Sequence, residues 1–361
     1  MMQALVLENI GKIEYREVSE PTVGVDEVLV KVMAAGVCGS DIPRTYRDGA
    51  HNMPLIIGHE FSGIVEETGE NVSKEWINKR VGVFPLIPCK ECKPCRNRKY
   101  EMCKNYSYLG SRQDGGFADF VAVPAWNLIE LPDEVSYEAA AMLEPMSVAV
   151  HAIRRVEIDP ESTVVVCGLG TIGILLTMFL LDMGVKKIIT IGNKDFQKRT
   201  VTGLGIKPEN YCDNRSLDSK DFIMSATDGE GADVFFECVG RKETVNLAVE
   251  SVGASGQICY VGNPASDMNF SKNTYWKILR NQIRVTGTWN SSYYGDDVSK
   301  KSGIGKIDMD DWHYVLDRLI QGNINPELLI THRYPLDELP CGMEIMRDKT
   351  EDYIKIMYCR K

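Results

Sequence analysis

Positive charge is in deficit: 41 Lys and Arg face 51 Asp and Glu, leaving a net charge of −10 over 361 residues. Such a balance repels phosphate backbones and supplies no basic stripe, so a nucleic-acid partner is not expected. Long apolar runs are missing too. The most lipid-like stretch, Val164 to Met183, carries three glycines and contains Asp182, which reads as buried strand, turn and helix, so no membrane partner is expected. Met1 to Glu20 has no apolar core behind a basic start and holds Glu8, Glu14 and Glu17, so neither export nor organelle import is expected. Internal repeats and low-complexity tracts are also absent. What remains is a globular, cytoplasmic chain, 44% hydrophobic, long enough for about two domains.

Cysteine, by contrast, is plentiful. Eleven are spaced unevenly along a large chain, which fits a reducing compartment better than a disulfide framework. Cys167, Cys212, Cys238, Cys259, Cys341 and Cys359 stand among apolar or mixed neighbours and read as small core or surface thiols. Cys89, Cys92, Cys95 and Cys103 are different. Their spacing, C-x2-C-x2-C-x7-C, lets a short loop wrap four thiolates around one tetrahedral zinc. Lys90, Lys93, Arg96, Arg98 and Lys99 would offset the negative charge of that centre. The ferredoxin spacing for an iron–sulfur cluster differs in its last gap. Four sulfurs leave no vacancy for a substrate, so the role expected is structural.

Three regimes organise the chain. Up to about Pro145, short β-branched runs such as Glu27 to Met33 and Gly63 to Glu67 alternate with Gly and Pro turns, as in a small β-rich domain. From about Val150 to Asn290 the pattern alternates strand and helix: Val164 to Cys167, Lys187 to Ile191, Ala232 to Glu237, Gln257 to Val261 and Ile283 to Gly287 predict a parallel sheet. After a polar loop opening at Ser291, the tail offers an amphipathic helix near Met309 to Gln321 and a strand, Tyr353 to Tyr358. That tail is too small for its own core. The fold class expected is therefore α/β, with a Rossmann parallel-sheet cofactor domain, 150–290, inserted in a β-rich domain made of 1–149 and 291–361, whose cysteine lobe spans about 86–106.

A second set of donors is dispersed. Cys38 lies in Gly36-Val37-Cys38-Gly39-Ser40-Asp41, His59-Glu60 in Gly58-His59-Glu60-Phe61-Ser62-Gly63, and Glu144 precedes Pro145. Mixed S, N and O donors suit a catalytic zinc, which keeps a position for water or substrate. Gly168-Leu169-Gly170-Thr171-Ile172-Gly173 follows a strand and opens a helix, Thr171 to Met183, the setting in which a glycine turn brings a pyrophosphate to a helix N-terminus. The next strand runs into Gly192-Asn193-Lys194 where an acid would bind the adenosine ribose. Without that carboxylate a 2′-phosphate is tolerated, and Asn193, Lys194 and Arg199 can bind it, so NADP is favoured over NAD, with Asp195 as the residue that would restore the ribose contact.

Gly58-His59-Glu60-x2-Gly63-x5-Gly69-x2-Val72 and the Cys89 to Cys103 cluster resemble the zinc alcohol dehydrogenase family of medium-chain dehydrogenases/reductases, over the whole chain. The resemblance implies a GroES-like catalytic domain, two zinc ions per chain, and Cys38, His59 and Glu144 as catalytic-zinc ligands with Glu60 alternative or exchanging. It also implies that Asp41 orients His59. One position departs from the family: Pro43 stands where many members carry a relay histidine, which leaves proton release to Ser40 and water, or to Glu60 and Glu144, with His51 the nearest spare imidazole. Glu144 to His151 resembles the polyol branch, and the loops Cys38 to Pro43, Gly49-Ala50-His51, Gly110 to Ala118 and Lys277 to Arg280 resemble galactitol-1-phosphate 5-dehydrogenases. A phosphorylated polyol and its ketose would call for Arg44, Arg47, Arg112, Lys277 or Arg280 as cationic partners. The alternatives are a sorbitol- or xylitol-type enzyme for free polyols, a threonine-type dehydrogenase, and a non-catalytic binding or sensor protein on the same fold. By analogy with relatives, a homodimer or homotetramer is expected.

Overall fold

The structure, a computed structural model, describes residues 1–264, 266–295 and 309–361. Most of the polar loop expected after Ser291 lies outside the described residues. The chain forms two compact units, Met1–Glu144 with Ser291–Lys361, and Pro145–Asn290.

The first unit opens with β1 (Met2–Asn9), β2 (Lys12–Val18), β3 (Glu27–Val37), a short helix α1 (Asp41–Pro43), β4 (Leu55–Ile56), β5 (Glu60–Thr68), β6 (Arg80–Val83), β7 (Leu86–Ile87), α2 (Lys93–Arg96), β8 (Ser107–Tyr108), β9 (Phe120–Pro124), β10 (Leu128–Glu130) and α3 (Tyr137–Ala141). Helix α4 (Leu143–Ile153) leads into the second unit, where β11 (Thr163–Cys167), α5 (Thr171–Asp182), β12 (Lys187–Gly192), α6 (Asp195–Gly203), β13 (Tyr211–Asp213), α7 (Ser219–Ala226), β14 (Ala232–Glu237), α8 (Lys242–Ser251), β15 (Val252–Tyr260), α9 (Lys272–Arg280) and β16 (Arg284–Gly287) follow. The tail supplies α10 (Asp311–Ile320), β17 (Ile330–Tyr334), α11 (Leu339–Asp348) and β18 (Lys355–Cys359). Among the described residues no helix is long and apolar enough to cross a membrane.

In the first unit the main sheet runs β10-β6-β5-β3-β18-β17, with β9 also on β3. Val28, Val30, Val32, Val65, Val81 and Ile356 pack its core, so the β-branched runs bury one face, as alternating strands must. Strand β18 from the tail lies antiparallel to β3, with Ile356 opposite Val37. This pairing explains why so short a tail is ordered: its strand completes a sheet begun some 320 residues earlier.

In the second unit six parallel strands take the order β13-β12-β11-β14-β15-β16, the arrangement of a Rossmann sheet. Val164, Val165 and Val166 are fully buried at its centre, which accounts for a continuous apolar run in place of alternation. The sequence signal missed β13: three residues at a sheet edge, beside a polar turn, are too short to show a period. The domain boundary expected after residue 149 falls inside α4, whose Leu143 and Glu144 belong with the first unit.

Candidate active site

Register assembles the dispersed donors. Strands β3 and β5 pair antiparallel with Gly36 opposite Glu60, so Cys38, just past the end of β3, meets His59-Glu60 at the start of β5. Cys38, His59 and Glu60 each place a ligand atom within 4.8 Å of the others. His59 and Glu60 are buried. Glu144, in the first turn of α4, stands outside that trio: its Oε1 accepts a 3.1 Å hydrogen bond from the Tyr108 hydroxyl. Asp41 Oδ2 accepts from the Cys38 backbone N–H at 3.0 Å, while Oδ1 lies 3.5 Å from His59 Nδ1 and pairs with Arg44. The Ser40 hydroxyl donates to Cys38 Sγ at 3.3 Å.

Electrostatics follow from burial and from these neighbours. Burial pulls the His59 pKa down, yet the Asp41 carboxylate and the Cys38 sulfur outweigh it and hold the value well above the ordinary one. Burial pushes Glu144 up to about 7, with the Glu60 carboxylate adding to the rise. Burial raises the Tyr108 phenol well above its usual range too, and the Glu144 charge raises it further, so it remains a hydrogen-bond donor.

Two members of this centre were not singled out from the sequence. Lys355, at the head of β18, is buried; its Nζ lies 2.5 Å from Glu60 Oε2 and 3.1 Å from the Val37 carbonyl. Tyr108 stands edge-on to His59, with ring centroids 5.8 Å apart. A lysine heading the apolar run Ile356-Met357-Tyr358 was the available signal, because a buried ammonium requires a carboxylate partner. Tyr108 carried none.

The donor chemistry fits zinc at both centres. At the first, a half-buried thiol, a buried imidazole and a buried carboxylate converge. At the second, Sγ separations are 3.4 Å (Cys92 to Cys95), 3.5 Å (Cys89 to Cys103), 3.9 Å (Cys92 to Cys103) and 4.0 Å (Cys89 to Cys95). A tetrahedron with Zn–S of about 2.3 Å has edges of about 3.8 Å. The pair β7–β8, Leu86 with Tyr108 and Ile87 with Ser107, closes the base of this lobe. Of the cations expected around it, Lys90 lies over the Trp126 ring and Arg98 over Tyr294.

In the second unit Gly168 has φ +98°, and a Cβ on Gly173 would lie 1.9 Å from the Gly168 carbonyl, so both glycines are needed for the turn between β11 and α5. Gly170 stands at the N-terminus of α5, the end of a helix whose dipole favours an anion. At the end of β12 the space a side chain would take at Gly192 is filled: a Cβ would meet Gln197 Oε1 at 2.8 Å and Tyr211 Oη at 2.9 Å. Gln197 accepts from the Asn193 N–H at 3.0 Å and donates to the Leu169 carbonyl at 2.9 Å, tying this end of β12 to the glycine turn. Asp195 is 2.5 Å from Arg215, which also chelates Asp213. Lys194 Nζ lies over the Phe196 ring, and Arg199 is exposed.

The cations expected at a substrate phosphate are each engaged or exposed within their own unit. Arg44 pairs with Asp41 and lines a cavity of about 350 Å³ with Ser40, Pro43 and His51. Arg47 pairs with Asp48 on the surface. Arg112 stacks on Tyr106 and donates to its carbonyl at 3.2 Å. Lys277 donates to the Glu250 carbonyl at 2.7 Å, and Arg280 is exposed at the end of α9.

Comparison with known proteins bears on the same elements. Residues 24–133 match the alcohol dehydrogenase GroES-like domain, and residues 171–301 the zinc-binding dehydrogenase domain. Galactitol 1-phosphate 5-dehydrogenase of Escherichia coli K12 is 30% identical over 311 residues, covering 85% of each chain. Sorbitol dehydrogenase of Halalkalibacterium halodurans is 33% identical over 346 residues, 93% of this chain and 94% of the relative. A zinc-binding dehydrogenase from Sinorhizobium meliloti, solved bound to NADP, superposes with a TM-score of 0.88 at 27% identity, covering 100% of this chain and 99% of that one. The chain thus belongs to the zinc-dependent medium-chain dehydrogenases/reductases, in their polyol branch, and is an NAD(P)-dependent alcohol dehydrogenase.

Proposed function

We propose that the enzyme transfers a hydride between the nicotinamide of NADP and a secondary alcohol of a polyol or polyol phosphate, yielding the ketose, with one zinc at Cys38, His59 and a carboxylate and a second among the four clustered cysteines. The observation that carries this reading is the convergence of thiol, imidazole and carboxylate within 4.8 Å, beside the Ser40 hydroxyl. When bound there, zinc supplies a Lewis acid that acidifies the substrate hydroxyl. The protein's own groups do the rest. Asp41, beside Nδ1 of His59, orients the imidazole, Lys355 fixes Glu60, and Ser40 and Glu144 offer the departing proton an acceptor in place of the relay histidine replaced by Pro43.

The NADP preference draws support from Gly192, where no carboxylate stands to repel a 2′-phosphate, and from Lys194 and Arg199 just beyond it. Asp195, the residue able to restore a ribose contact, is engaged by Arg215. Unphosphorylated polyols are a second reading: Arg44 is neutralised by Asp41 and Arg112 is held by Tyr106, so neither cation is free for a phosphate as it stands.

Association of copies into a homodimer or homotetramer is supported by β16, whose outer edge pairs with no strand among the described residues, with exposed Val285, and by the exposed Tyr275, Trp276 and Leu279 of α9. A cytoplasmic setting is supported by eleven cysteines without a disulfide.

The test is a rate comparison on galactitol 1-phosphate, galactitol, sorbitol and xylitol with NADP+ and NAD+. Faster turnover of any of these polyols with NADP+ is expected. Failure on all four, in protein carrying zinc, refutes the polyol assignment, and a higher kcat/KM with NAD+ refutes the cofactor preference.

A further inference from the structure

The ends of two neighbouring strands in the second unit share one cation. Strands β12 and β13 pair in parallel with Gly192 opposite Asp213, and the Asn214 N–H donates to the Gly192 carbonyl at 3.0 Å. The chain leaving β13 is thereby moored to the end of β12. Arg215 stands on that mooring. Its Nε lies 2.9 Å from Asp213 Oδ1, and its Nη2 lies 2.5 Å from Asp213 Oδ2 and 2.5 Å from Asp195 Oδ1. One guanidinium holds two carboxylates.

Asp195 is the first acid after β12 and opens α6, about 20 residues beyond the glycine turn, the interval at which an acid in such a sheet meets the adenosine ribose. Left unpaired, that carboxylate would accept from a ribose hydroxyl, which favours NAD, and would repel a 2′-phosphate, which disfavours NADP. Arg215 counters both effects. It occupies an oxygen of Asp195 and cancels its charge, so the cations of the same turn, Lys194, Lys198 and Arg199, are not offset by that acid. The side chains of Arg215 and Asp195 are 47% and 76% exposed, so their pair adds little to stability and can be altered without unfolding the domain.

We propose that Arg215 is a positioning residue for cofactor choice: by holding Asp195 it keeps an acid from the 2′ position of the adenosine ribose and so admits the 2′-phosphate of NADP. This role rests on the reading that NADP is preferred. It acts through Asp195, not through contact with the nucleotide.

Fluorescence titrations of NADP+ and NAD+ at one ionic strength, on the wild type, Arg215→Gln, Asp195→Asn and the double variant, test it. Arg215→Gln should raise the Kd for NADP+ about tenfold and leave that for NAD+ unchanged or lower, since the freed carboxylate meets a phosphate in one nucleotide and a hydroxyl in the other. Adding Asp195→Asn should return the NADP+ Kd to within about threefold of the wild type, and Asp195→Asn alone should move neither Kd by more than that. An NADP+ Kd unmoved in Arg215→Gln overturns the proposal. So does a loss that Asp195→Asn leaves unrepaired, because Arg215 then acts other than through Asp195, and so does an equal loss for both nucleotides, which marks a merely structural role. If Arg215→Gln fails to fold, Asp195→Asn alone decides: an NAD+ Kd raised more than about threefold shows the acid already serving the ribose and overturns the proposal, and an unchanged one supports it. Tighter binding of NAD+ by the wild type refutes the NADP reading, a separate failure, since the role of Arg215 is read on the change between variants.

Discussion

Gly36 and Glu60 compete for one space: a Cβ on Gly36 would sit 2.3 Å from Glu60 Oε2. The glycine is therefore a condition for the carboxylate's position, and Gly36→Ala should drive Glu60 off Lys355. We expect that variant to bind one zinc fewer per chain and to lose about 1–3 kcal/mol of stability from overpacking. Metal analysis together with a denaturant titration measures both. Unchanged zinc content would show that Glu60 can reach its place by another route.

Lys355 and Glu60 form a buried ion pair, both almost wholly inaccessible. In the zinc-free protein Lys355→Met should cost about 3–5 kcal/mol, because it strands a buried carboxylate without a counter-charge. Lys355→Met combined with Glu60→Gln should recover much of that loss, since no charge is then left unpaired. Denaturation midpoints of the two single variants and the double variant measure the coupling.

Removal of the clustered cysteines should act on a different region. Cys103→Ser is expected to release one zinc while the Cys38 centre keeps its own, and to speed amide exchange across 89–103 and the β7–β8 ladder at the lobe's base. Thiol labelling gives an independent readout. Burial pushes Cys259 up to about 12, so at pH 8 it should resist alkylation in the folded protein, whereas exposed Cys341 reacts. The four lobe cysteines should become reactive only after a chelator is added.

Cofactor choice should depend on single charges at the end of β12. Lys194→Ala is expected to raise the Kd for NADP+ about tenfold, equivalent to about 1.4 kcal/mol for a lost charge-assisted contact, and to leave NAD+ binding nearly unchanged. Fluorescence titration with both nucleotides checks the ratio. Equal losses for the two would place Lys194 away from the 2′-phosphate.

Strand pairing accounts for what could be read early and what could not. The cysteine lobe was legible because its four sulfurs fall within fifteen residues, and the glycine turn because Gly168 to Gly173 lies between a strand and its helix. Cys38 and His59-Glu60 were recognisable as separate pieces, but their meeting depends on the β3–β5 register. Lys355 is 295 residues from Glu60, and Tyr108 is 36 from Glu144; neither interval has a local period. Arg215, which engages Asp195 from 20 residues away, escaped notice for the same reason, while Gln197, 4 residues from Asn193, shows its hold on the end of β12 only once α6 is folded beside that strand.

Sequence by itself determined the chemistry available: which thiols, imidazole and carboxylates the chain brings, where a glycine turn meets a helix, and that Gly192 replaces an acid. Those features are local, set by residue type and short spacing. Only the tertiary structure decided which carboxylate keeps company with Cys38 and His59 and which is tied to Tyr108. That choice is made by hydrogen-bond donors from distant strands, and the pairing of strands is a property of the whole sheet, not of any segment within it.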